Sequence, residues 1–236
     1  LPPAPPEAPA LASGEIRKRA VRGVASTFGA HLANQLLRFG FGVYLARRLR
    51  PDDFALVAIV TAATGLLDLL RDQGLPNVLI QSPDLDARRI NAIFWLLLGL
   101  LALEMALLGL LAPAMALFYR RPELAGLTAA LAIGSALSGL TTVPLALLKR
   151  HVRFDRLARL QIGALLAALP FTAAAAAAGW GAWALALYIV LPGLFLLPGA
   201  WFACGWRPSL RPDLSSIRAL AAHGRRFLGV DLVTYW

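Results

Sequence analysis

Thr27, His31, Gln35 and Arg38 follow one another at intervals of four, four and three residues, and Asn34 stands four residues before Arg38. Intervals of three and four bring side chains to one face of a helix. Thr61, Thr64, Asp68, Arg71 and Asp72 repeat the pattern. Both sets lie inside otherwise apolar runs. An ionisable side chain inside a membrane helix costs ~2.5–3.5 kcal/mol on insertion scales, so an array on one face argues for use. If the two stripes face each other, they line a shared polar cavity that can hold a charged or hydrogen-bonding guest. Plainer roles compete. Arg38 can reach out to lipid headgroups. Arg71 and Asp72 can pair with each other at an interface, and His31 and Gln35 can hydrogen-bond neighbouring helices. Glu104 stands alone near the middle of a third apolar run. It reads as a buried protonated carboxyl or a proton site, and joins Asp68 and Asp72 as a candidate ion or proton carrier.

The elements that must carry these residues are membrane helices. The 236 residues are 58% hydrophobic and their mean hydropathy is +0.66, against roughly 45–50% apolar content in soluble domains. Lipid leaves helices or closed barrels as the available solutions. The runs are Leu/Ala-rich and do not alternate, so the fold class is all-α, a polytopic membrane helix bundle. Six transmembrane spans are expected, at about Val21–Leu45, Phe54–Ile80, Ala92–Phe118, Leu124–Leu148, Leu160–Ala178 and Trp180–Ala203, with the start of a seventh helix near Phe227. Gly74 and Pro76 should bend or break the second span. The domain organisation expected is a Pro/Ala-rich disordered tail over 1–16, a six-helix lobe over 17–203, a linker with an amphipathic helix over 204–226, and the opening of a second lobe over 227–236. The chain starts at Leu1 and stops at Trp236 within an apolar run, so a fragment of a longer protein is expected.

Basic residues set the orientation. With the N-terminus inside, the inner segments hold 16 Lys and Arg and the outer loops 5. The outer five are Arg47, Arg48, Arg50, Arg120 and Arg121. The net charge of +10 is therefore read as topology, and no nucleic-acid partner is expected. Cys204 is the one cysteine and makes neither disulfide nor metal cluster. No metalloprotease, redox, nucleophile-elbow or P-loop motif occurs, so neither an enzyme nor a metal or other cofactor is expected. Asp52 and Asp53, after "RRLRP", are placed to cap a helix. Ser135, Ser138 and Thr142 form a stripe suited to helix packing, the six alanines at 173–178 suit close helix contact, and Trp180 and Trp183 read as interfacial anchors.

Four stretches then carry a resemblance: "VYLARRLRPDDFALVAIV" (43–60), "LLRDQGLPNVLIQ" (69–81), "NAIFWLLLG" (91–99) and "PLALLKRHVRFDRLARLQ" (144–161). In this order and spacing the chain resembles the Wzx-like oligosaccharide flippases, in the polysaccharide transporter branch of the multidrug/oligosaccharidyl-lipid/polysaccharide exporter superfamily. The colanic-acid type is the nearest in appearance. The resemblance implies one lobe of a two-lobed transporter that moves undecaprenyl-pyrophosphate-linked oligosaccharides across the bacterial inner membrane by alternating access. It implies a cationic cavity, for which His31, Asn34, Gln35, Arg38 and Arg71 fit by position and chemistry. Membrane lipids, a polysaccharide polymerase and other export machinery are the implied partners. Two other readings stay open at this point. One is a sister transporter, for lipid II or for drugs and cations; the other is a non-transporting membrane scaffold.

Overall fold

The computed structural model describes residues 13–72, 75–81, 86–151 and 153–209, and within them the side chains other than those of 13–28, 30, 31, 69, 70, 72 and 81. The amphipathic helix expected near 226 and the seventh span lie outside the described residues. Among the described residues the secondary structure is helical throughout: α1 (Ser13–Arg48), α2 (Pro51–Asp72), α3 (Leu75–Gln81), α4 (Ala87–Phe118), α5 (Glu123–Arg150), α6 (Phe154–Ala177) and α7 (Ala182–Cys204). The second expected span is divided between α2 and α3. Pro76 falls in the first turn of α3, where its missing N–H leaves no bond unmade. The helix α1 begins at Ser13, ahead of the apolar run, because Arg17, Lys18, Arg19, Ala20 and Arg22 are good helix formers.

Among the described residues four helices, α4 to α7, are long and apolar enough to cross a membrane. The polar stripe of α1, with His31, Asn34, Gln35 and Arg38, dilutes its apolar run. The distribution of side chains fits a lipid solvent. The uniformly apolar α7 buries Ala182, Ala184, Leu185, Ala186, Pro192 and Ala200, and turns Ile189, Leu194 and Phe202 outward. A water-soluble helix does the reverse, hiding its large residues. Small residues inside let backbones approach, which is how helices pack in lipid. A Cβ on Gly134 of α5 would sit 3.0 Å from Cγ2 of Val190 on α7. The chain is a multi-pass membrane protein.

The centre of the bundle is α5, which packs on α2, α3, α4, α6 and α7, while α1 packs chiefly on α6. Two apolar clusters sit at opposite ends. One joins Leu45, Val60, Met115, Leu127, Leu131 and Leu185 to the small residues Ala175, Ala176, Ala182, Ala184 and Ala186. Asp53 fastens this end. Its Oδ2 accepts from the N–H of Arg50 and its Oδ1 from the N–H of Ala182, both at 3.0 Å. One carboxylate thus caps the starts of α2 and α7 together. The contact needs Gly181, whose φ is +55° and where a Cβ would lie 2.7 Å from Asp53 Oδ1.

The other cluster gathers Leu75, Leu79, Ile93, Phe94, Leu97, Val143 and Leu147, with Trp95, Trp201 and Trp206 packed against it. Here α7 ends at Gly205 in the left-handed conformation, and the chain folds back over α4. Ser209 donates its N–H to Asn91 Oδ1, and its carbonyl accepts from the Trp95 indole, both at 2.9 Å.

Candidate functional site

Between the two apolar clusters, three helices bring charge together. The helix α2 supplies Asp68 and Arg71, α4 supplies Glu104, and α5 supplies Ser135. Glu104 lies 17 residues from the start of α4 and 14 from its end, about 21 Å along the axis from the nearer terminus. Arg71 and Glu104 are each 3% exposed, and Asp68 is 36% exposed. Arg71 Nη2 lies 2.8 Å from Asp68 Oδ1, and Nη1 lies 2.8 Å from Glu104 Oε2. Nη1 also donates to the Ser135 carbonyl at 3.2 Å and to Ser135 Oγ at 2.9 Å. Ser135 Oγ is in turn 2.6 Å from Asp68 Oδ1 and hydrogen-bonded to Glu104 Oε1. Gly139, one turn beyond Ser135, leaves room for the guanidinium, since a Cβ there would sit 3.4 Å from Nη1.

The stripe of α1 has a different setting. Arg38 is exposed, and its Nε donates to Asn34 Oδ1 at 3.0 Å. Its Nη groups have no partner among the described residues. Gln35 is also exposed. The Tyr188 hydroxyl donates to the Arg38 carbonyl at 3.2 Å, tying this turn of α1 to α7. Beside it, Leu36, Leu37, Gly40, Phe41 and Tyr44 of α1 and Leu169 and Ala173 of α6 line an apolar groove of about 610 Å³. His31 and Asp72 lie on described helices, but their side chains fall outside the described residues.

Among the described residues the two stripes do not meet in one cavity. Asp68 and Arg71 turn toward α4 and α5, and α1 lies against α6. The physical reason is that a buried guanidinium takes the carboxylate in reach, and Glu104 supplies one inside the bundle. Nothing in local spacing joins Glu104 and Ser135 to α2, because the three meet only in the tertiary fold. Ser135, read as part of a packing stripe, is instead hydrogen-bonded to Arg71, Asp68 and Glu104. The clamp of Asn91 and Trp95 on Ser209 had no signal in the sequence either.

Trp180 and Trp183, with Arg50, Asp52, Arg121 and Glu123, line a second, polar cavity of about 370 Å³ beside Asp53.

Apolar helices in a single bundle, carrying one buried and one exposed polar stripe, are the frame for comparison with known proteins. Residues 44–236 match the family described as "Polysaccharide biosynthesis protein". The chain belongs to this family. A curated relative, the succinoglycan biosynthesis transport protein ExoT of Rhizobium meliloti (strain 1021), is 25% identical over 205 residues, which are 84% of this chain and 40% of ExoT. The chain spans less than half the length of that relative. No solved structure matches. For this polysaccharide biosynthesis family member, the match covers α2 to α7 and the last residues of α1, so both the buried cluster and Asp53 lie within it.

Proposed function

We propose that the chain forms one lobe of a transporter that moves polyprenyl-pyrophosphate-linked oligosaccharides across the bacterial inner membrane for surface polysaccharide synthesis. The observation that carries this reading is the family match over residues 44–236, together with the likeness to a succinoglycan transport protein. In this reading α1, α2 with α3, α4, α5, α6 and α7 are six spans, with the N-terminus in the cytoplasm. A second lobe completes the cavity, and rocking of one lobe against the other exposes the sugar head to each side in turn.

The exposed face of α1 suits the substrate. Arg38, with Asn34 and Gln35 beside it, offers a planar, always-charged fork to a phosphate or acidic sugar, and His31 lies on the same face. The apolar groove between α1 and α6 suits the polyprenyl tail. Arg71 holds α2 in place. The test uses the whole transporter, reconstituted in vesicles loaded with the lipid-linked oligosaccharide. Glycosidase added outside should digest more substrate in vesicles with protein than without. Equal digestion by well-inserted protein would overturn the reading.

A further inference from the structure

We infer that Asp68, Ser135 and Glu104 hold one proton in common, resident on Glu104, which makes the buried junction of α2, α4 and α5 a proton-binding site. The inference concerns this chain alone and stands apart from the transport reading.

It follows first from counting donors. Ser135 Oγ accepts from Arg71 Nη1 at 2.9 Å. It also lies within hydrogen-bond distance of Asp68 Oδ1, at 2.6 Å, and of Glu104 Oε1. A hydroxyl has one proton to give. Two ionised carboxylates would leave one oxygen facing Oγ with no hydrogen between them. A proton on Glu104 completes the set. Glu104 Oε1–H donates to Ser135 Oγ, and Ser135 O–H donates to Asp68 Oδ1.

The second line is charge. Among the described residues two carboxylates stand against one guanidinium, a surplus of negative charge where Arg71 and Glu104 are each 3% exposed. A buried charge without its own counterion is strongly disfavoured. Among the described residues the charged groups that meet at Glu104 are Arg71 and Asp68, both from α2; α5 brings the Ser135 hydroxyl. Glu104 is the neutral partner because it is the more buried of the two acids. Asp68 keeps the charge, with Arg71 Nη2 and the Ser135 hydroxyl as its donors.

The half-buried Asp68 is also the way in. A proton taken from water by Asp68 passes to Ser135 Oγ as the serine's own proton moves to Glu104 Oε1, which leaves the serine neutral. The reverse sequence releases it. Loss of the proton sets two carboxylates against one hydroxyl and loosens the hold of α2 on α4 and α5.

Infrared spectroscopy of the full chain in lipid vesicles tests this without substitution. At neutral pH the carbonyl stretch of a protonated carboxyl should appear, and should shift when the carboxyl carbons of glutamate are labelled with ¹³C. Glutamate occurs at Glu7, Glu15, Glu104 and Glu123, so Glu104→Gln should abolish the band and Glu123→Gln should keep it. Asp68→Asn should also abolish it, since Glu104 would then be the one anion facing Arg71. Absence of the band in the unsubstituted chain, a shift with aspartate label instead, or survival of the band in Glu104→Gln would each overturn the proposal. If Glu104→Gln does not fold, the label shift in the unsubstituted chain decides alone.

Discussion

Arg38 and Arg71 are the same residue type on the same kind of helical stripe, and their surroundings are opposite. Arg71 is 3% exposed and bound to groups from three helices. Arg38 is exposed and touches Asn34 on its own helix. The difference lies in the neighbours. The helix α2 packs on α4 and α5, which place a carboxylate and a hydroxyl within reach. The helix α1 packs on α6, and the groove there is lined with apolar residues. A charged stripe thus becomes an internal tie or an open face according to what the next helix offers.

The sharpest way to break the comparison is Arg71→Ala. It leaves Glu104 and Asp68 facing each other without their cation, and should cost about 3–5 kcal/mol, as for other broken buried pairs. The expected sign is a collapse of folded protein in membranes and a lower unfolding temperature in detergent. Replacing Arg71 by methionine and Asp68 by asparagine together should recover most of that loss, because the ion pair of Arg71 and Asp68 is then removed whole and the protonated Glu104 leaves no buried charge unpaired. Ser135→Ala comes next. It removes a hydroxyl shared by Arg71, Asp68 and Glu104, and should cost about 1–3 kcal/mol in the same unfolding assay.

Accessibility separates the surroundings of the two arginines directly. In a Cys204→Ser background, Arg38→Cys should react with a small aqueous thiol reagent, and Ser135→Cys, at the buried partner of Arg71, should be protected. Equal reactivity would mean that the two environments do not differ as described. The smallest effect on stability belongs to Arg38→Ala, about 0.5 kcal/mol or less, as for an exposed side chain outside any network. Its effect should instead be on substrate transport by the whole protein at constant abundance, ranked Arg38, then Lys, then Ala. Lysine keeps the charge and loses the planar fork. Normal transport by a well-expressed Arg38→Ala would leave the α1 face a mere polar seam.

Much of this architecture could be read from residue order alone. The apolar runs gave the helices, Gly74 and Pro76 marked the division of α2 from α3, and Asp53 was placed at a cap. These features are local, and local chemistry decides them. The partners of Arg71 were not legible, because Glu104 and Ser135 lie 33 and 64 residues away in sequence and neither stands in a motif. Spacing of three and four reports which residues share a face. It carries nothing about what that face meets. The second role of Asp53 was hidden for the same reason, since Ala182 adds only a backbone N–H to the bond.

That second role sets a clock. Asp53 and Ala182 are separated by 129 residues. At ~5–20 residues per second of synthesis, roughly 6–26 s pass between the emergence of one and the other. During that interval Asp53 can cap α2 through Arg50, but its other oxygen has no helix to close on. The end of the bundle where α2 and α7 begin is therefore finished only after α4, α5 and α6 have been made. The first loop of the chain waits for the last helix described, and a substitution at Asp53 would be felt late in assembly.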